Sequence, residues 1–215
     1  MAERRRRMVE RDLRARGVGD PRVLEAFGLV PREMFLPDDL ADVAYEDCAL
    51  PIAEGQTVSQ PYVVAVMIEA SGVGAGARVL EVGTGSGYGA AVLSRVAGEV
   101  WTLERYGSLA SAAVDRLAAL GYGNVNVVTC DGSKGWPEAA PYDAVIVTAA
   151  GPAVPPALIA QLRVGGYLVM PIGQAEDYQS LTRLRRVEGT HRAPEVETEV
   201  LAPVRFVPLL DGVVL

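Results

Sequence analysis

The sequence predicts a doubly wound α/β protein: a mostly parallel sheet with an antiparallel C-terminal edge, plus a helical N-terminal segment. Three observations carry this. Between residues 61 and 173, short apolar runs alternate with helical patterns, the signature of βαβ units. One run, residues 79–82, passes directly into Gly83, Gly85 and Gly87. Such a strand-to-helix turn uses glycine for positive φ and for close ligand approach. Beyond residue 173 polar and apolar residues alternate, the pattern of half-exposed antiparallel strands. A chain of 215 residues suits a single structural domain with a sizeable core.

Residues 1–60 form a helical, irregular, substrate-side segment. Positions 3–16 suit an amphipathic helix ended by Gly17. Asp20-Pro21 supplies an N-cap and a proline at the first helical position, starting a helix to about residue 27. Pro31, Pro37 and Pro51 divide the rest of this segment into short pieces, and residues 45–60 read as a long ordered loop, a length often functional. Residues 61–173 form the α/β core. Pro61 opens a helix to about residue 70, and strand 78–82 feeds a helix over about 86–96. Strand 99–103 precedes a helix over 108–120 ended by Gly121, and strand 125–129 comes next. Residues 142–147 form a buried strand, 155–162 a helix, and 166–170 start another strand. Residues 174–215 complete the sheet with antiparallel strands at 180–187 and 198–207, separated by Gly189 and Pro194.

Composition excludes several functions. Half the chain is apolar and 22% charged, so it folds rather than staying disordered. A formal net charge of −7 argues against nucleic acid as a partner. Four consecutive arginines at 4–7 read either as a nucleic-acid arm or as a solvated helix face; Glu3, Glu10 and Asp12 dilute them and favour the face. Cys48 and Cys130 form no disulfide framework, which fits a reducing cytoplasm. No stretch has membrane-spanning length or a secretory pattern. One histidine, His191, in the linker between the last strands, disfavours hydrolase triads and His-rich metal sites. The expected state is a cytoplasmic monomer without a metal.

The glycine spacing is G-x-G-x-G. A dinucleotide fingerprint would place its third glycine at position 88, which is Tyr88. With Glu81 just before the first glycine, the stretch looks like the S-adenosylmethionine loop of class I methyltransferases in a Rossmann-like sheet. An ordinary glycine-rich turn is the alternative. On the cofactor reading Gly83, Thr84, Gly85, Ser86 and Gly87 form the binding loop, with the glycines exposing backbone amides, and Glu81 faces the cationic methionine end. Glu104 lies 104 − 83 = 21 residues beyond the first glycine, placed to accept from two ribose hydroxyls or else to pair with Arg105 at the surface. Asp131 and Gly132 come after the third strand; Asp131 either accepts from an adenine amino group or closes an Asx-turn. A carboxylate acceptor is already ionised at pH 7 and needs no general base. Residues 55–62 read Gly-Gln-Thr-Val-Ser-Gln-Pro-Tyr. Ser59 and the amides after it would present the positive end of a helix to an anion, or Thr57 or Ser59 merely caps that helix.

Together these residues resemble the protein-L-isoaspartate (D-aspartate) O-methyltransferase family. The resemblance rests on Val30-Pro31-Arg32 with Phe35, on Gly55 through Tyr62, and on Val79 through Tyr88. It continues in Asp131-Gly132 with Gly135-Trp136, in Tyr142-Asp143-Ala144 and Val147 through Ala150, and in Val204-Arg205-Phe206-Val207-Pro208-Leu209. It implies methyl transfer from S-adenosylmethionine, leaving S-adenosylhomocysteine. The acceptors are the free carboxylates of L-isoaspartyl and D-aspartyl residues in damaged proteins, and the ester then collapses to a succinimide. It implies Ser59 as the active-site donor that orients the carboxylate, with Thr57, Gln60 and Val207 as further substrate contacts. Gly89 departs from the family, where glutamine is common, and so does Cys130, where glycine is usual. A dedicated peptide-tailoring enzyme and a non-catalytic cofactor-binding adaptor are the rival readings.

Overall fold

The computed structural model describes residues 1–174, 178–188 and 195–215. Helix α1 (Ala2–Met8) continues through a π turn (Val9–Leu13) and a 3-10 turn (Arg14–Arg16) to Gly17, where φ of +101° ends it. The arginine run is a solvated helix face bound to its own chain: Arg4 pairs with Asp42 and Arg6 with Glu3. Helix α2 (Pro21–Leu29) starts on Asp20, whose carboxylate accepts from the Arg22 amide, as a Ser/Thr/Asp/Asn cap does. The 45–60 stretch holds a small antiparallel pair, β1 (Leu50–Pro51) and β2 (Thr57–Val58), in the register Leu50↔Val58 and Pro51↔Thr57.

The core then alternates as the sequence predicts: α3 (Pro61–Ala70), β3 (Arg78–Val82), α4 (Tyr88–Leu93), β4 (Glu99–Glu104), α5 (Gly107–Ala119), β5 (Val125–Thr129), β6 (Tyr142–Val147), α6 (Pro156–Gln161) and β7 (Leu162–Ile172). Strands β8 (Gln179–Val187) and β9 (Glu195–Val204) close one edge. The seven-stranded order is β5-β4-β3-β6-β7-β8-β9. β3 to β7 are parallel, and β8 and β9 each run antiparallel to the preceding strand. Successive core residues face opposite sides. Val79, Ala144, Ile146 and Val169 join one buried cluster, whereas Leu80, Val145, Val147 and Leu168 join the other. Burial on both faces is why these strands read as apolar runs rather than as alternation.

α4 is shorter than the helix expected over about 86–96, and two strand boundaries differ from the sequence reading. β7 begins at Leu162, because Gly165 (φ +82°) and Gly166 belong to the strand. They sit beside the register shift between Tyr142 and Ala144, and glycine inside a strand often marks such an irregularity. β9 spans Glu195–Val204 instead of 198–207, and its residues 195–200 are all exposed. Alternation there reports no buried face. Edge position explains it: Glu197 and Glu199 face Arg185 and Arg183 of β8, and Pro203, paired with Ser180, has no amide to offer a further strand, features that discourage further strand pairing. Gly189, His191 and Pro194 lie outside the described residues.

The chain moves from β3 to β4 on one side, while β6 lies on the other side of β3. Reversal of strand order opens a crevice at the carboxyl ends. Residues 205–215 return across those ends. The Ala150 amide donates to Val207 O at 2.8 Å, Leu209 N to Ala150 O at 2.7 Å, and Val214 N to Arg105 O at 2.8 Å. Among the described residues, no helix is long and apolar enough to cross a membrane.

Candidate active site

A cavity of about 570 Å³ occupies the crevice. From the glycine-loop side it is lined by Glu81, Gly83, Thr84, Gly85, Ser86 and Glu104, with Gly132 below. Thr57, Ser59, Gln60 and Val207 line it as well. Gly87 and Asp131 are not among the lining residues. Gly87 packs toward Leu117 and Ala113 as the left-handed residue before α4. The Asp131 carboxylate accepts from the Ser133 amide (3.0 Å) and hydroxyl (2.7 Å) and pairs with Lys134. Asp131 therefore closes a local Asx-type turn, the alternative the sequence left open.

Glu81 is buried at the end of β3, and register explains its surroundings. Parallel pairing sets Glu81 opposite Thr102, and the Thr102 hydroxyl donates to Glu81 Oε2 at 2.6 Å. Thr102 Oγ1 also lies 2.7 Å from Thr84 Oγ1. With its proton committed to Glu81, Thr102 accepts from Thr84. Burial pushes the Glu81 carboxyl up to about 8; the Thr102 hydrogen bond opposes that shift and the nearby Glu104 adds to it. Gly89 makes this placement possible. A Cβ there would sit 2.2 Å from Glu81 Oε1, so any side chain at 89 must displace the acid.

The glycine amides are not the free donors that the sequence reading expected. Gly83 N donates to Leu103 O (2.8 Å), Gly87 N to Thr84 O (2.8 Å), and Gly85 N to Glu104 Oε2 (2.8 Å). The loop supplies shape. At Gly83, with φ of +101°, a Cβ would lie 2.3 Å from Thr148 Oγ1, which donates to the carbonyls of Val82 and Gly83 at 3.0 Å. Glu104 also accepts from Tyr106 N at 3.0 Å, so it stiffens the loop and does not pair with Arg105. Arg105 instead donates to the carbonyls of Asp211 (3.1 Å) and Gly212 (3.3 Å) in the C-terminal tail.

The Ser59 segment corrects a second expectation. Neither Thr57 nor Ser59 caps α3: the N-cap position is Gln60, without a side-chain cap bond of its own. Asp47 supplies the carboxylate, accepting from Tyr62 N at 2.9 Å. The anion at this helix end is thus internal. Gln60 Nε2 donates to Asp47 O (3.0 Å) and Oδ2 (2.7 Å). Both its side-chain amide hydrogens are committed, so the Gln60 side chain braces the segment. Ser59 is half-buried and lines the shared cavity, and its hydroxyl makes no hydrogen bond among the described residues. Val207 reaches the same cavity because its carbonyl is tied to Ala150.

Sequence reasoning missed Asp47, Thr102, Thr148 and the tail contact to Arg105. Aligning β3 with β4 would have found Thr102. The others carry no local signal.

The family model described as protein-L-isoaspartate(D-aspartate) O-methyltransferase matches residues 3–214. The chain belongs to that family. It is similar to protein-L-isoaspartate O-methyltransferase 1 of Rhodopseudomonas palustris strain HaA2, 56% identical over 97% of this chain and 84% of that one. A protein-L-isoaspartate O-methyltransferase of Protochlamydia amoebophila is 50% identical, covering 94% and 95%. A solved protein-L-isoaspartate O-methyltransferase superposes with a TM-score of 0.84 at 32% identity; this chain covers 65% of that structure's length. A Plasmodium falciparum protein described as a putative protein-L-isoaspartate O-methyltransferase, solved with S-adenosyl-L-homocysteine, gives 0.79 at 23% identity, covering 96% of this chain and 98% of that one, a likeness of fold. In this O-methyltransferase chain, the departures at Gly89 and Cys130 differ in weight: Gly89 touches the buried acid, whereas Cys130 is absent from the cavity lining.

Proposed function

We propose that this chain methylates the free α-carboxylate of L-isoaspartyl residues and the side-chain carboxylate of D-aspartyl residues, using S-adenosylmethionine, as a repair step on damaged cytoplasmic proteins. The observation that carries the reading is a serine whose hydroxyl bonds to no described residue, sharing one cavity with two buried carboxylates at the sheet's switch point. The cavity residues fit the cofactor. Glu81 is a buried acid held by one hydroxyl, suited to a cationic group. Glu104 is 6% exposed, and its oxygens keep lone pairs for ribose hydroxyls. Gly83, Thr84, Gly85 and Ser86 shape the wall between them, with Gly132 as the floor.

When bound, S-adenosylmethionine supplies a methyl group made electrophilic by its sulfonium. The protein's task is orientation and exclusion of water. Ser59 donates one hydrogen bond to an acceptor carboxylate that is already ionised, so no side chain moves a proton. Thr57 and Val207 flank that position, and residues 205–210 cover it.

Glu81 makes cofactor binding pH-dependent. Its carboxyl is protonated in the free protein below about pH 8, whereas a cationic ligand favours the ionised form. Affinity for S-adenosylmethionine should rise with pH up to about 8, by up to about tenfold per unit, then level off. Calorimetry at pH 7 in buffers of different ionisation enthalpy should register release of close to one proton. Glu81→Gln should remove both effects; an unchanged slope in that variant would assign it elsewhere.

The decisive assay pairs an isoaspartyl peptide with its normal aspartyl twin. Labelled methyl transfer to the first and not to the second supports the proposal. Equal labelling of both, or of neither, overturns it.

A further inference from the structure

Ser59 is positioned by backbone alone, since its hydroxyl bonds to no described residue. On its N-terminal side the short β1–β2 ladder fixes Thr57 and Val58. On its C-terminal side one side chain gathers the constraints. Asp47 Oδ1 accepts from Tyr62 N, and Oδ2 accepts from Gln60 Nε2. Arg16 closes the arrangement, pairing with Asp47 Oδ2 and stacking over Tyr62 with its guanidinium carbon 3.6 Å from the ring centroid.

Asp47 is itself anchored from below. The Arg32 side chain, fully buried, donates to the carbonyls of Ala44 (2.9 Å) and Cys48 (3.4 Å) and lies over Tyr88 at 4.8 Å. Tyr88 opens α4 directly after the glycine loop. A continuous set of contacts thus joins the cofactor wall to the loop 44–48, and that loop to the residues on either side of Pro61. Asp47 is the link that crosses between them. Its charge is balanced: Arg16 offsets it, so it holds a helix end beside a proposed anion site without repelling the anion.

We infer that Asp47 is a positioning residue for Ser59, holding Gln60 and Tyr62 so that the serine hydroxyl points into the cavity. The inference rests on the proposed donor role of Ser59. Misplacing an orienting group by about 1 Å can cost about 100-fold in rate, so loss of Asp47 should appear in turnover with the cofactor site intact.

The test is a double-mutant cycle on the full chain, with an isoaspartyl peptide as acceptor. Asp47→Asn keeps the size and one acceptor but loses the ion pair and the second acceptor. It should lower kcat about tenfold or more and leave S-adenosylmethionine affinity within about twofold. In a Ser59→Ala background the same change should cost less than about twofold, because residues acting through one group are non-additive. Losses that multiply would show a general structural effect and overturn the inference, as would wild-type kcat in Asp47→Asn while Ser59→Ala is impaired. If Ser59→Ala alone retains full activity, the donor role of Ser59 fails, and the inference falls with it. Should Asp47→Asn not fold, Gln60→Leu removes one arm of the clamp, and the same cycle decides.

Discussion

Replacing Ser59 with alanine should lower kcat for an isoaspartyl peptide by about 100- to 1,000-fold, the scale for one lost site donor, or about 2.7–4 kcal/mol. Affinity for S-adenosylmethionine should stay within about twofold. The split comes from position. Ser59 lines the same cavity as Glu81 and Glu104 but bonds to neither, and its hydroxyl makes no hydrogen bond to a described residue that its loss would break. The α3 cap survives, because Asp47 supplies it. Thermal stability should therefore stay near wild type, as for most substitutions away from cavities, caps and buried networks. Unchanged turnover would show that the hydroxyl is incidental. A large fall in melting temperature would show a structural role that its contacts do not reveal.

Glu104→Ala should have the opposite profile: cofactor affinity weakened by at least about 100-fold, with a clear fall in stability. Two backbone amides, Gly85 N and Tyr106 N, donate to this carboxylate. Hydrogen bonds to a charged group contribute about 1.5–3 kcal/mol each, and buried amides left without acceptors carry a desolvation cost. Glutamine should not rescue the site. Its carboxamide offers one accepting oxygen and one donating nitrogen, so one of the two amides would face another donor. Thermal melts with and without cofactor check this directly. Binding to the native state stabilises it by RT ln(1 + L/Kd) at free ligand concentration L, so Glu104→Ala should show almost no rise in melting temperature at concentrations that stabilise the wild type. A normal shift would remove Glu104 from the cofactor site.

Much of the architecture was legible because its signals are local. Apolar runs two-sided enough to be buried, Pro61 and Pro21 at helix starts, and Gly17 and Gly121 at helix ends each fix a few residues by sterics and hydrogen bonding. Errors arose where tertiary position overrode pattern. Gly165 and Gly166 looked like a strand boundary and lie within β7. The alternation from residue 198 looked like a half-buried strand; residues 198–200 lie on an exposed edge, and only from Leu201 to Val204 does β9 meet the core.

The site divides in the same way. Glu81, Gly83, Gly85, Ser59 and Glu104 could be picked from spacing because strand ends and glycine turns mark them. What those residues bond to could not. The glycine amides were expected to be free and are committed to Leu103, Glu104 and Thr84. Gln60 lines the cavity as the sequence suggests, but that both its side-chain amide hydrogens go to Asp47 is visible only in the structure.

By itself the sequence determined the layered α/β fold, the strand that ends in the glycine loop, and the family to which the chain belongs. Periodicity and turn chemistry act over a few residues and survive any packing. Only the tertiary structure decided that Asp47 caps a helix beginning fourteen residues later, that Thr102 holds Glu81, and that the tail reaches back to Arg105. Those contacts join segments whose approach is set by the closing of the whole sheet, and no local spacing encodes which partners then meet.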